Sequence, residues 1–330
     1  MSQSRKRAHE SADSSGEMEG VASDTQPAPS DQRVFSDVLE MDSDDEIQGF
    51  LLTTERAYVA DQDTIVVYDT ATRQKINEIE PEWGYIHDIS LSMDGKSLFV
   101  ACCLSIASII NLVTGKAVIL RGHADCVKCI IQGEGTDVLT CSNDRTIRRW
   151  NSLTGECLKI YKGHTDWVFS ILYDEATKRI FSASYDETFI VWNGNTGEKI
   201  GVMKGHGDWV GSLARVNDTT IASGSGDGTI KLWDVTTLTC IKTLSNGEPV
   251  SSVVATPDGL YLISGSYDNN VKVWSVATGK CLHTLSHHRE WVVKVAVSPD
   301  GRFIASSAGD HMFHLFSVSP SFSIAANGAL

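Results

Sequence analysis

The sequence predicts an all-β chain of seven four-stranded units set around a common axis, preceded by an acidic N-terminal tail. Three observations predict it. Anchors on the aromatic or aliphatic residue near the end of each third strand fall at Tyr68, Ile110, Trp150, Trp192, Trp233, Trp274 and Phe316, with spacings of 42, 40, 42, 41, 41 and 42 residues. Within each unit apolar residues recur at every second position, the period of strands and not of helices. Gly, Asp and Asn turns break the chain at short, regular intervals. A lone four-stranded meander cannot bury its faces, so seven of them stack radially into a propeller.

The elements follow in order. Residues 1–32 belong to an acidic stretch, with 12 Asp/Glu against 4 Lys/Arg in the first 50 residues, and are expected to be a disordered tail. Arg5-Lys6-Arg7 reads either as a nuclear-import signal or as solvated charge. Ser43, followed by acidic residues in "DSDDE", is a candidate phosphorylation site. Residues 33–330 form the propeller. The strand-like segment 33–41, "RVFSDVLEM", stands one loop before the first strand and is expected to supply the last strand of the seventh unit, removing an exposed edge. "FSIAA" near the C-terminus is its rival for that place. The fifth unit shows the internal plan: "WVGSLARV" and "TIASGS" as strands a and b, "GDGT" as a turn, "IKLWDV" as strand c, and strand d in "TTLTCIKTL".

The segments "GHTDWV…SASYDETFIVWN" and "GHGDWV…SGSGDGTIKLWD" resemble WD repeats, with a Gly-His pair near the start and Trp-Asp or Trp-Asn at the end. The resemblance covers about residues 34–330 and implies a seven-bladed WD-repeat β-propeller. It further implies a structural tetrad in each regular blade. The matching residues are His123, Ser142, Asp144 and Trp150; His164, Ser184, Asp186 and Trp192; and His206, Ser225, Asp227 and Trp233. Asn246 replaces the histidine in blade 6 and Phe316 the tryptophan in blade 7. Blades 1 and 2 lack the pattern, with Gln62 and Leu104 at the Asp position, and are expected to be the least regular.

Composition limits the chemistry. The net charge of −14 disfavours nucleic acid and anionic membrane surfaces as partners. No run of apolar residues is long enough to span a membrane, and the N-terminus has no secretory h-region. The eight cysteines are therefore expected to be reduced, in the cytoplasm or also the nucleus. Cys126 and Cys129 have C-x-x-C spacing, but strand residues three apart face opposite sides, so no metal is expected. Cys157, Cys240 and Cys281 recur at one place in strand d and read as core packing. "SGSGDGT" joins two strands and does not open a helix, so it is a turn and not a phosphate loop. The His/Asp pairs repeat around the ring, which speaks for scaffolding and against one catalytic cluster. No catalytic residue, cofactor or small-molecule substrate is expected.

The resemblance places partners on the face that carries the d–a and b–c loops. Exposed positions there include Tyr85, Trp167, Trp209 and Trp291 at the start of strand a, with His87, Lys128 and Phe169 two residues on. Tyr185 and Tyr267 stand before the turn Asp position. The tryptophans either form this working surface or plug gaps between blades. Asp166, Asp208 and Glu290 beside them favour a peptide or loop of basic character. The chain reads as a non-enzymatic interaction scaffold or adaptor. The alternative is a substrate-recognition subunit of a ubiquitin ligase or similar complex, although "WNSL", "WNGN", "WDVT" and "WSVA" lack the Trp-Asp-x-Arg signature of cullin adaptors.

Overall fold

The computed structural model describes residues 35–43, 46–81 and 84–318. The tail 1–32, Arg5–Arg7 and "FSIAA" lie outside the described residues. Those described form seven antiparallel four-stranded sheets and contain no helix. In blades 2 to 6 the order is sequential from the inner strand outward, as in blade 4, with strands Val168–Asp174, Arg179–Ser184, Phe189–Asn193 and Lys199–Met203.

Blade 7 is built differently. Strands Val292–Val297, Phe303–Ala308 and Met312–Val318 are joined by Phe35–Asp42, which runs antiparallel to Met312–Val318 with Phe35 opposite Val318 and Asp42 opposite Met312. The first strand among the described residues thus covers the edge of the last sheet and ties the ring shut.

Second strands are almost fully buried, as in Thr220–Ser225, because both their faces pack against neighbouring blades. The apolar clusters accordingly lie between blades. One joins Phe181 and Val191 of blade 4 to Leu213 and Trp233 of blade 5. Outer strands are the most exposed, as in Lys75–Ile79, where no residue is buried. Cys240 and Cys281 are therefore exposed and Cys157 half-buried, which corrects their reading as core residues. They recur because each sits opposite the anchor Trp of its blade, at a bulge in the outer pair.

Blade 2 is as regular as its neighbours, contrary to expectation, down to the shared bulge between Ile86 and Asp88. Blade 1 differs only in a short inner strand, Phe50–Leu52, without that bulge. Sheet regularity is set by backbone pairing and apolar alternation, which both blades retain. Beside the short strand, Lys294 of blade 7 reaches past blade 1 to pair with Asp88 of blade 2, its Nζ 5.7 Å from the Phe50 ring centroid.

Candidate protein-binding face

The hydrogen-bonded tetrads hold the loops of this face. In blade 3, Trp150 Nε1 donates to Thr140 Oγ1 (2.8 Å), Thr140 bonds His123 Nε2 (2.7 Å), and His123 Nδ1 bonds Asp144 Oδ2 (2.7 Å). Burial lowers the His123 pKa more than Asp144 raises it, so the imidazole is neutral at pH 7. Each proton then has one place: Trp to Thr, Thr to His, His to Asp. Burial alone would raise the Asp144 carboxyl, but bonds from His123 and Thr146 hold it well below the usual range.

Ser182 and Ser223 occupy the bridging place in blades 4 and 5. The bridging hydroxyls are therefore not Ser142, Ser184 and Ser225 but the residues two positions earlier. Residues i and i+2 share a face, so the pattern alone admits both. The indole reaches only the nearer one. Ser142, Ser184 and Ser225 instead accept from the backbone N–H of Asp144, Asp186 and Asp227 and donate to the carbonyls of Asp125, Asp166 and Asp208. The glycines before His123 and His206 suit the backbone there. Gly122 and Gly205 have φ of +152° and +145°, which strain an L side chain, and a Cβ on Gly122 would also lie 3.3 Å from Trp150.

Two blades vary the plan. In blade 6, Lys272 pairs with Asp268 and donates to Asn246 Oδ1, while Asn246 Nδ2 donates to Ser266. In blade 7, His288 bonds Ser306 and Asp310, and His314 stands edge-on to it at 4.6 Å.

Above this layer, the residue before the turn position donates its N–H to the carbonyl at the start of strand a. Cys103 bonds Tyr85, Asn143 bonds Cys126, Tyr185 bonds Trp167, Gly226 bonds Trp209, Tyr267 bonds Pro249, and Gly309 bonds Trp291. This repeated bond brings together residues that are 17 or 18 positions apart in sequence.

In blades 4 to 7 those side chains are mostly aromatic. Trp167, Phe169 and Tyr185 form a triangle with ring centroids 5.8 to 6.4 Å apart. Tyr267 stands 6.1 Å from Trp209 and 6.3 Å from Trp291. Trp167, Tyr185, Tyr267 and Trp291 are each between 44% and 49% exposed, so Trp167 and Trp291 do not plug inter-blade gaps. Small neighbours let two of the indoles lie flat: a Cβ on Gly226 would come within 2.4 Å of Trp209, and one on Gly309 within 2.7 Å of Trp291.

Acidic groups border the arc. Glu46 accepts from Trp291 Nε1 at 2.9 Å, and Glu290 lies beside Gly309. Asp166 and Asp208 each give one oxygen to the N–H of the following tryptophan. Asp125 does the same for Cys126, so this use of Asp is structural.

Tyr85, His87 and Lys128 belong to a different arc, over blades 2 and 3. His87 is held by Gln48 Oε1 on Nδ1 (2.9 Å) and by Lys128 Nζ on Nε2 (3.1 Å), with Cys103 Sγ 3.3 Å from Nε2. Burial, with Lys128 adding to it, lowers the His87 pKa to about 4. Tyr85 donates to the Glu46 carbonyl at 2.5 Å. Cys103 was missed in the sequence. Completing the row of residues before the turn position for blade 2 would have found it.

Between the arcs the inner strands line a central channel of about 330 Å³, bordered by Gln48, His87, Lys128, Phe169, Ser251 and Lys294. Ser43 lies near blade 1 and is 8% exposed, its Oγ donating to Asp61 Oδ1 at 2.5 Å. This corrects its reading as a phosphorylation site: a kinase could not reach the hydroxyl in the folded chain, and a phosphate would meet a carboxylate.

The WD domain, G-beta repeat profile matches residues 116–151, 155–193, 197–234, 238–275 and 279–317, together more than half of the chain. The chain belongs to the WD40 family. Each match starts with one blade's outer strand and ends with the next blade's third strand, so the repeat in sequence is offset from the blade in space.

WD40 propellers act as protein-interaction scaffolds. Among curated proteins the chain is 41% identical over 164 residues to mitogen-activated protein kinase kinase kinase A of Dictyostelium discoideum, covering 47% of this chain and 17% of that protein. It is 30% identical over 131 residues to an F-box protein of Saccharomyces cerevisiae, covering 38% and 20%. It is 31% identical over 104 residues to DDB1- and CUL4-associated factor 10 of Xenopus tropicalis, covering 30% and 22%. The chain thus spans under a quarter of the length of each.

Proposed function

We propose that this WD40 propeller is a non-enzymatic adaptor whose aromatic arc over blades 4 to 7 holds a basic peptide or loop of a protein partner. The supporting observation is the half-exposed run of Trp167, Tyr185, Tyr267 and Trp291, with Phe169 between Trp167 and Tyr185 and the channel. Solvent exposure of so much aromatic surface is unfavourable unless a partner covers it. Trp and Tyr lose little side-chain entropy on binding and dominate interface hot spots. Their ring faces attract a guanidinium or ammonium group, and Glu46, Glu290 and the free oxygens of Asp166 and Asp208 favour the same charge.

Selection from a displayed random-peptide library tests this reading. Enrichment of Lys- or Arg-containing peptides that lose binding to Trp209→Ala and Tyr267→Ala is the expected result. Selection without basic enrichment, or peptides indifferent to both substitutions, would refute it. A second reading, a recognition subunit of a ubiquitin ligase, draws on the names of two relatives, the yeast F-box protein and DDB1- and CUL4-associated factor 10. Co-purification of a cullin or its adaptor with the full chain separates the two.

A further inference from the structure

The aromatic arc leaves one cluster of reactive side chains unused. His87 comes from the inner strand of blade 2, Cys103 from the turn between its second and third strands, and Cys126 from the start of blade 3. Their ligand atoms, one imidazole nitrogen and two sulfurs, lie within 4.8 Å of one another, and all three residues are half-buried. Cys129, the partner suggested by C-x-x-C spacing, is not in the cluster.

We propose that His87, Cys103 and Cys126 form a binding site for a thiophilic divalent cation, Zn²⁺ by chemical class, that clamps blade 2 to blade 3 on the upper face. Three features of the geometry support it. The His87 Nε2 to Cys103 Sγ distance of 3.3 Å is close to the edge of a tetrahedral zinc site. With bonds of about 2.0 Å to nitrogen and 2.3 Å to sulfur, that edge is ~3.5 Å. His87 Nδ1 is bonded to Gln48 Oε1 at 2.9 Å, which directs the Nε2 lone pair toward the sulfurs. An outer hydrogen bond of this kind orients most metal-bound histidines. Third, His87 lines the channel, so a cation has a path to its imidazole.

Lys128 is the competitor, since its Nζ lies 3.1 Å from the same Nε2. One lone pair serves one acceptor role at a time, so binding moves the Lys128 ammonium off the imidazole. The two thiols release two protons as they bind, and two thiolates balance the charge of the dication. No electron transfer is involved. The site stands where blade 2 lacks the hydrogen-bonded tetrad, with Val100 and Ile110 at the places of Ser182 and Trp192, and the metal supplies a cross-blade tie there.

Titration of the full chain with Co²⁺ under anaerobic, reducing conditions tests the proposal. One equivalent is expected to give the visible bands of tetrahedral cobalt with thiolate charge transfer, and Zn²⁺ should erase them. Cys103→Ser and Cys126→Ser should each abolish the bands, while Cys129→Ser keeps them. Absence of tetrahedral bands in the intact chain, or their survival in both cluster variants, overturns the site. Lys128→Met keeps every ligand and removes the competitor, so it should tighten Zn²⁺ binding at least threefold. Unchanged or weaker binding also counts against the proposal, whatever the stability of the serine variants.

Discussion

Blades 2 and 4 have the same four strands and the same bulge, yet they solve the same packing problem with opposite chemistry. Blade 4 buries a connected chain of Trp192, Ser182, His164 and Asp186. Blade 2 places Val100 and Ile110 at the Ser and Trp positions and leaves Leu104, at the Asp position, 64% exposed. The tetrad groups are all paired in blade 4 and are absent from blade 2, although Ser108 Oγ of blade 2 and Tyr173 OH of blade 4 are buried without a hydrogen-bond partner. A hydrogen bond contributes about 1 kcal/mol net, but an orphaned buried partner costs more, so only mixtures are unstable. The upper faces diverge in parallel: aromatics over blade 4, imidazole and thiols over blades 2 and 3.

The largest expected effect comes from putting blade 2's residue into blade 4. Asp186→Leu strands four donors, from His164, Thr165 and both groups of Thr188, and should cost about 3–5 kcal/mol in denaturant unfolding. The reverse exchange, Leu104→Asp, should stay within about 0.5 kcal/mol, because that side chain faces solvent. Equal costs for the two would break the comparison.

A drop in pH should weaken blades that bury a neutral histidine. Burial lowers the His288 pKa to about 4, with His314 adding to the effect and Asp310 opposing it. The unfolded imidazole, near its ordinary 6.5, takes up a proton first. Stability is therefore full above about pH 6.5 and falls as the pH approaches 4. At about 1.4 kcal/mol for each pH unit between the two values, the loss is at most about 3.5 kcal/mol. Melting curves of His288→Asn should show a shallower decline over that window.

Smaller effects separate the two hydroxyl positions. Ser182→Ala orphans both the Trp192 N–H and His164 Nε2 and should cost about 2–3 kcal/mol. Ser184→Ala loses one donor and one acceptor bond at the turn and should cost about 1 kcal/mol. The smallest change is at the surface: Trp167→Ala should shift stability by no more than about 0.5 kcal/mol, since its ring supports no blade core.

The comparison also shows what was legible in the sequence. Constant spacing of the anchors gave the blade number, and period-two alternation gave the strands, since both follow from local backbone geometry. The Gly-His and Trp residues of the tetrads could be read, but not their hydroxyl. Thr140 and Ser142 share one strand face, and only the reach of the indole distinguishes them. Exposure of Cys240 and Cys281 depended on strand d being outermost, which spacing does not reveal. The acidic context of Ser43 said nothing of its burial. The Cys103–Cys126 approach joins two blades and appears only when frame positions are stacked across the ring.

The most direct test of the account is the affinity of a library-selected basic peptide for the intact propeller and for variants on each arc. Trp209→Ala or Tyr267→Ala should weaken binding at least tenfold, about 1.4 kcal/mol, while Tyr85→Ala on the opposite arc changes it less than twofold. Equal losses on both arcs, or none on the aromatic one, would contradict the assignment of the binding surface to blades 4 to 7.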